Sequence, residues 1–534
     1  MGEILYNGIE LPDVWPPRDR KLGIEPPPTP PYLISPPKVI PIDVGRQLLV
    51  DDFLIEETTL KRSFYSAEYY PDNPVLEPDK PWESARHPDL PKWRESWSVP
   101  MACPFSDGVW YDPRDKLFKM WYMNGYCDAV CYAISEDGVH WEKPALDVDP
   151  PTNRVYTTVS ASRTVWLDLE ETDPAKRYKL FYHKWPQLGE ELQVSFSPDG
   201  IHWTDVLKDG GINGDRTTVF YNPFRKVWVF SIRWGGTIEE GQAGVRTRDY
   251  WEHPDALAGA RWKEDDPVFW IGADRLDPPY ANRDLKYSEL YNLDCVAYES
   301  LILGMFTILQ GHETGSPKLN ELKVGFTRDG FNWDRTSRGI FIPMDPTPGA
   351  WNRGNIQSAG GCCLVVGDKL YFYVSGKLGE PGGYDSIGRA STGLAILRRD
   401  GFASMDAGET EGILTTRPVL FTGKNLFVNV DSRAGELQVE ILDEKGRLYF
   451  PFSRAENIPI RADRTLYPVR WRGVDSLLSL AGRPVRFRFH LRNGKLYSFW
   501  VSPDKSGASH GYVAAGGPGF TGPTDTVGSA EYDH

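Results

Sequence analysis

Between about Ser98 and Met405 the chain repeats one cadence: an apolar run with period-two alternation, a polar turn, a second apolar run, a loop, and a third run ending on Asp-Gly. Period-two alternation over short spans predicts strands, and turn residues between them predict hairpins. "GVWYDPRDKLFKMWYM" (108–123) is the first such unit, with "DPRD" at the turn. "TVWLDLEETDPAKRYKLFYHKW" (164–185), "TTVFYNPFRKVWVFSIRW" (217–234), "CVAYESLILGMFTILQG" (295–311) and "CCLVVGDKLYFYVSG" (362–376) follow the same plan. "AVCYAIS" and "LQVSFS" read as third strands.

Each unit ends on a variant of one short motif. It reads "SEDGVHWEKP" at 135–144, "SPDGIHW" at 197–203, "TRDYW" at 247–251, "TRDGFNW" at 327–333 and "RRDGF" at 398–402. The copies recur at intervals of 50 to 80 residues, too irregular for a solenoid. Units of this size, each a small antiparallel sheet, suit the blades of a β-propeller, where closure into a ring leaves only short, protected sheet edges. The expected fold is therefore all-β, a five-bladed propeller over residues 46–406. In the motif, Asp accepts backbone N–H bonds, Gly takes a positive φ, and the aromatic packs back between blades. It reads as a structural staple between the third and fourth strands, remote from any chemistry.

The ends differ. Residues 1–45 hold the proline-rich "PDVWPPRDRKLGIEPPPTPPYLISPPKVIP", which predicts an extended surface arm. After about Gly408 the motif stops, and "NLFVNVDS", "LQVEILDEKGRLY" and "VRFRFHLRNGKLYSFWV" predict a β-sandwich over 407–505, with Asn493-Gly494 as a hairpin turn. The tail from 506 to 534 has too much Gly and too few large apolar residues to fold alone.

Composition narrows the function classes. Lys and Arg total 60 against 74 Asp and Glu, a net charge of -14 that disfavours nucleic acid and acidic membrane surfaces as partners. No apolar run is long enough to cross a bilayer. Aromatics make up 13% of the chain, including 19 Trp, mostly read as blade cores with some available to stack on sugars. Six cysteines are too sparse for a disulfide framework, and the Cys127/Cys131 spacing lacks the partners a zinc site needs. No cofactor is expected, with a structural metal ion in the channel left open. "MGEILYNGIELPDVWPP" lacks the basic and apolar regions of a signal peptide, so the expected location is cytoplasmic, or secreted with that segment removed.

Propeller geometry selects the candidate site. The first strand of each blade lines the channel, so the loop before it and the loop after the second strand share one rim. The strand starts supply Asp107, Arg163, Asp215, Arg216, Asp294 and Gln357; the loops supply His183, Arg233, Trp234, His312 and Glu313. Carboxylates from several blades, joined by Arg, His and Trp, are the parts glycoside hydrolysis needs: one ionised acid, one protonated acid, and donors for sugar hydroxyls.

At this level the chain resembles the five-bladed propeller glycoside hydrolases, the superfamily of invertases, fructosidases, arabinanases and xylosidases. "RQLLVDDFLIEE", "GVWYDPRDKLFKMWYM" and "SEDGVHWEKP" also look like segments of bacterial proteins labelled glycosyl hydrolases. The resemblance implies an Asp opening blade one, a second Asp in blade two and a Glu in blade three. Asp107 fits the first place; blade two opens with Arg163 instead, and Asp215 beside Arg216 falls in blade three. The leading expectation is a glycosidase acting on a small glycan or oligosaccharide terminus. In it Asp107 is nucleophile or base, Asp215 orients the sugar or tunes a pKa, and Asp294 or Glu313 is the acid. Arg163, Arg216 and Arg233 would hold hydroxyl or carboxylate groups, with His183, Trp234, His312 and Gln357 completing the pocket. A non-catalytic carbohydrate-binding propeller and a glycoside phosphorylase are the alternatives. Oligomeric state, sugar identity and stereochemical outcome are not encoded in any motif.

Overall fold

The computed structural model describes residues 2–84, 99–125, 127–158, 160, 163–183, 191–239, 244–280, 285–311, 318–378 and 388–533. The chain is nearly all β, with 44% of residues in strands and 5% in helices. Five smaller antiparallel sheets follow one another along residues 102–398, and two six-stranded sheets hold most of the remainder. Among the described residues no helix is long and apolar enough to cross a membrane.

Each repeat forms its own small sheet. In the first, Val109–Asp112 pairs with Leu117–Asn124, then Ala129–Ser135 and Arg154–Thr157. The second runs Arg163–Leu167, Tyr178–His183, Leu192–Ser197, Thr204–Leu207, and the third Thr218–Asn222, Val227–Gly236, Val245–His253, Val268–Ile271. The fourth holds Glu289–Glu299, Leu301–Gly311 and Leu319–Thr327. In the fifth, Gly354–Ser358 pairs with Lys369–Lys377, then Ala390–Arg398, and its outer strand, Glu68–Tyr69, comes from the N-terminal region. Central strands are buried on both faces, so they read as continuous apolar runs; Lys119, the exception in "LFKMWYMN", is buried against Asp112 at 2.9 Å.

Neighbouring sheets touch in order along the chain. Val165 N–H donates to the Asp107 carbonyl (2.7 Å), Trp166 meets Trp228 (centroids 5.8 Å apart), and the Thr218 hydroxyl donates to the Leu293 carbonyl (2.6 Å). Asn355 N–H donates to the Lys318 carbonyl (2.8 Å), and Val109 N–H to Gly360 (3.1 Å), which returns the fifth sheet to the first. The C-terminal segment covers the far ends of these strands: Tyr512–Val513 pairs with Tyr298 and Glu299, and Ala515 exchanges backbone bonds with Tyr111 and Cys363. The Gly-rich tail thus folds against the sheets, at the end of these strands opposite their starts.

Three motif copies form the expected staple. Asp137, Asp199 and Asp329 each accept two backbone N–H bonds at 2.7–2.9 Å, and the following Gly has φ of 76°, 81° or 84°. Each turn is gripped by the preceding sheet around the ring: Trp121 donates to the Gly200 carbonyl (2.8 Å), Trp270 to Phe331 (2.8 Å), and Tyr373 of the fifth sheet to Gly138. The other two copies depart from the expectation. Asp249 lies inside a strand, paired with Phe269, where no turn forms. Asp400 has φ 60° and spends its carboxylate on Arg46, Tyr298 and Ser498, because the chain leaves the ring there.

The two larger sheets share one apolar core, with Phe487 and Phe489 of Val485–Arg492 against Phe499 of Gly494–Ser502 (5.8 and 5.2 Å). Asn493-Gly494 is not a hairpin turn: the strands it joins belong to different sheets, and the turn carries the chain from one to the other. These sheets also recruit strands from before residue 407, including Ile55–Thr58 and Lys61–Phe64. Arg46 and Arg399, both fully buried, meet Glu299, Asp400, Asp525 and Glu531 and so tie the ring to the N-terminal region and the tail.

Gly200 tests the staple. Its φ of 81° disfavours any side chain, and a Cβ there would lie 2.4 Å from the Trp121 ring, whereas Gly446 (φ 80°) faces open space. Gly446→Ala should cost about 1 kcal/mol for the left-handed backbone, and Gly200→Ala a further ~1–3 kcal/mol from overpacking. Thermal melts of the two variants check this; equal losses would mean that the turn does not bear on the neighbouring sheet.

Candidate functional site

At the end away from the tail, the inner strands and the loops before them crowd buried polar groups together. Asp107 sits in the loop between Ala102–Cys103 and Val109–Asp112, with its side chain fully covered. Arg163 opens the second sheet and places Nη1 3.6 Å from Asp107 Oδ2; it is equally covered. Burial pushes the Asp107 carboxyl up to about 7, against the pull of Arg163 and Arg216, and the charge of Asp294 adds to the rise.

Asp294 lies within Glu289–Glu299 and is 3% exposed. Its Oδ2 accepts from Asn292 Nδ2 (2.8 Å), Ser358 Oγ (2.5 Å) and Ser106 Oγ (3.3 Å). Burial raises it to about 6 despite these donors and Arg248. Ser106, which donates to Asp294, adjoins Asp107 in sequence, and the two carboxyls also interact through their charges.

Asp215, just before Thr218–Asn222, is different. A third of its side chain (35%) is exposed, and Arg233 Nε stands 3.5 Å away. Burial would raise its carboxyl, but Arg233, Arg216 and Arg246, with His183, outweigh that and hold it down at about 2. The site therefore holds one carboxylate that stays ionised and two carboxyls that take protons near neutrality.

Cations and aromatics wall the volume. Arg216, at φ 68°, lays its guanidinium over Phe105 (4.3 Å), and Lys377 covers the same ring at 5.2 Å. Burial and the Arg216 charge lower Lys377 to about 8, with Tyr291 opposing. Around Tyr291 stand Arg246 (5.2 Å) and Lys318 (5.3 Å), and with Arg216 they bring its phenol down to about 8 against the effect of burial. His183 Nδ1 lies 2.8 Å from the Asn213 amide.

Of the expected residues, Asp107, Arg163, His183, Asp215, Arg216, Arg233 and Asp294 are thus brought together. Gln357 is buried on Gly354–Ser358 and bonds Asn355 (2.8 Å), one residue from the Ser358 that holds Asp294. Trp234 follows Arg233 on the opposite face of its strand and is 47% exposed. His312 and Glu313 lie outside the described residues. Asp128 serves a local ion pair with Arg154 at 2.8 Å.

Arg246, Arg248, Tyr291, Ser106 and Ser358 were not anticipated in this cluster. "VRTRDYW" carried a signal: two arginines two residues apart share one face of a strand, where a plain sheet would place apolar side chains. A cavity of about 990 Å³ lies elsewhere, beneath the proline-rich arm and beside Trp270. Its lining includes Asp19, Arg20, Lys21 and Asp274 but none of the strand-start residues named above.

No family model matches the chain, and no curated protein matches it. Among solved structures, a glycosyl hydrolase from Bacteroides ovatus aligns at 13% identity over 63% of this chain and 94% of its own (TM-score 0.38). A fructofuranosidase from Schwanniomyces occidentalis complexed with fructosylnystose aligns at 11% identity over 75% and 94% (TM-score 0.33). An exo-beta-1,3-galactanase from Phanerochaete chrysosporium with galactose aligns at 10% identity over 74% and 95% (TM-score 0.33). At such identities and scores the likeness does not say which residues act.

The raised carboxyl of Asp107 has a stability consequence. A carboxyl raised in the folded state binds its proton more tightly folded than unfolded, so stability falls as pH climbs from about 4 to about 7. Asp107→Asn removes that penalty. The variant should melt above wild type at pH 8, by roughly 1–3 kcal/mol, with the gain shrinking toward pH 4. Melting curves at both pH values check this; a variant that is less stable at pH 8 would show that the carboxylate is well solvated.

Proposed function

We propose that the protein is a glycan-cleaving enzyme on a five-bladed propeller, with a β-sandwich beside the ring and the reaction centred on Asp107, Asp215 and Asp294. The observation that carries the reading is the division of labour among these carboxyls. Asp215 is held ionised at about 2, while Asp107 and Asp294 are raised to about 7 and about 6. Pairs of titratable groups pushed apart in this way supply an acid and a base at one pH. The five small sheets, touching in sequence and closing fifth to first, support the ring.

In this scheme Asp215, the most exposed of the three, acts as the ionised carboxylate, either attacking the anomeric carbon or activating water. Asp107 donates its proton to the departing glycosidic oxygen, which reverses the role expected from its strand position. Burial keeps the Asp107 proton in place, and Asp294, fixed by Ser106, Asn292 and Ser358, adds to this above about pH 6, where it is charged. Arg163, Arg216 and Arg233 hold the carboxyls and the substrate's polar groups. The substrate class is a small glycan or an oligosaccharide terminus.

Asp215 is ionised above about 2 and Asp107 is protonated below about 7, so kcat/KM on a hydrolysed aryl glycoside should be flat in mild acid and fall above pH 7. Asp215→Asn and Asp107→Asn should each lower turnover by at least about a hundredfold while the protein stays folded. A panel of aryl glycosides with the two variants provides the test. Near-normal rates in either variant would remove that residue from the mechanism, sugar binding without turnover in wild type would make the ring a binding module, and cleavage that needs added phosphate would make the reaction phosphorolysis.

A further inference from the structure

Among the described residues, the cations of the site outnumber its carboxyls. Arg248, on Val245–His253, is fully covered, and only its Nη2 has an acceptor among the described residues, the Tyr291 carbonyl at 2.5 Å. Its Nε and Nη1 are buried with no hydrogen-bond partner among the described residues. A covered guanidinium with idle donors is costly unless something brings it acceptors.

Its electrostatic surroundings define what that something is. Arg233 and Arg246 stand close enough to repel it, while Asp215 and Asp294 attract it. Those attractions are committed elsewhere: Asp215 sits against Arg233 at 3.5 Å, Glu289 against Arg246, and Asp294 already takes three neutral donors. Lys377, covered and over Phe105, adds further positive charge to the same volume. A neutral sugar would offer hydroxyls to these groups but would leave the repulsion among the arginines in place. An oxyanion relieves it and supplies several acceptor oxygens at once.

We propose that the substrate carries an oxyanion on the sugar itself, a uronate carboxylate or a ring sulfate, and that Arg248 is a residue that receives it. This rests on the glycan-cleaving reading and narrows its substrate to acidic glycans. Free phosphate shares the oxyanion chemistry, so the test separates the two sources.

The experiment is calorimetric titration of the whole protein at fixed ionic strength with D-glucuronate, D-galacturonate, galactose 6-sulfate, D-glucose, D-galactose and inorganic phosphate. Expected is binding of at least one acidic sugar about tenfold or more tighter than its neutral counterpart. Arg248→Gln should abolish that preference and Arg248→Lys should keep part of it, both with melting curves as folding controls. If the variants do not fold, the wild-type comparison decides alone. Equal affinity for acidic and neutral sugars, or an affinity for phosphate alone, would overturn the proposal. Neutral aryl glycosides cleaved without any acidic preference would sink this inference and leave the glycosidase reading standing. Acidic sugars bound through Arg248 with no glycan turned over would do the reverse.

Discussion

Charge that is buried has to be answered by other charge or given up, and that constraint organises this protein at both ends of its inner strands. At the closed end, Arg46 and Arg399 are fully covered and meet carboxylates from the fourth sheet, the fifth motif copy and the tail. At the other end, Asp107, Arg163, Asp215 and Arg216 at the strand starts come together with Asp294 from within Glu289–Glu299. Arg163 faces Asp107 from the second sheet, and Arg233 faces Asp215 within the third, so groups from successive sheets are held in one arrangement.

The closed end explains how the open end can be a site. The tail lies across the far ends of inner strands through Tyr512, Val513 and Ala515, and the staples at Asp137, Asp199 and Asp329 fix the first, second and fourth sheets to their neighbours. With the frame set by these contacts, the strand starts can carry groups that favour chemistry over stability. Asp107 is one such group, since its raised carboxyl is a cost to folding at neutral pH.

Much of the ring was legible because strand, turn, strand and Asp-Gly recur with the same side-chain alternation, and alternation is a local signal. The worn copy at Asp249 could not be told from a turn by its letters, yet without Gly after Asp the backbone stays extended and pairs with Phe269. Asn493-Gly494 misled in the opposite way: the tight turn is real, but which sheet the next strand joins is a matter of long-range packing. The outer strand Glu68–Tyr69, more than 300 residues from its partner Ala390–Arg398, has no sequence signal at all. At the site, residues at strand starts were found by topology, whereas Arg248, Tyr291 and Ser358 lie on strands whose facing partners only the folded arrangement defines. The protonation states were likewise out of reach, because burial and opposed charges set them.

The account stands on one physical claim, that Asp107 keeps its proton to near neutrality while Asp215 does not. Infrared difference spectroscopy of the protonated-carboxyl band, comparing wild type with Asp107→Asn as pH is stepped, reads this without any substrate. The account predicts that the wild-type-minus-variant difference contains one protonated carboxyl titrating near pH 7, where Asp107 is placed, while the bands of Asp294 and Glu531 are common to both proteins and cancel. Titration of that carboxyl near pH 4, with the bulk of the aspartates, would contradict it.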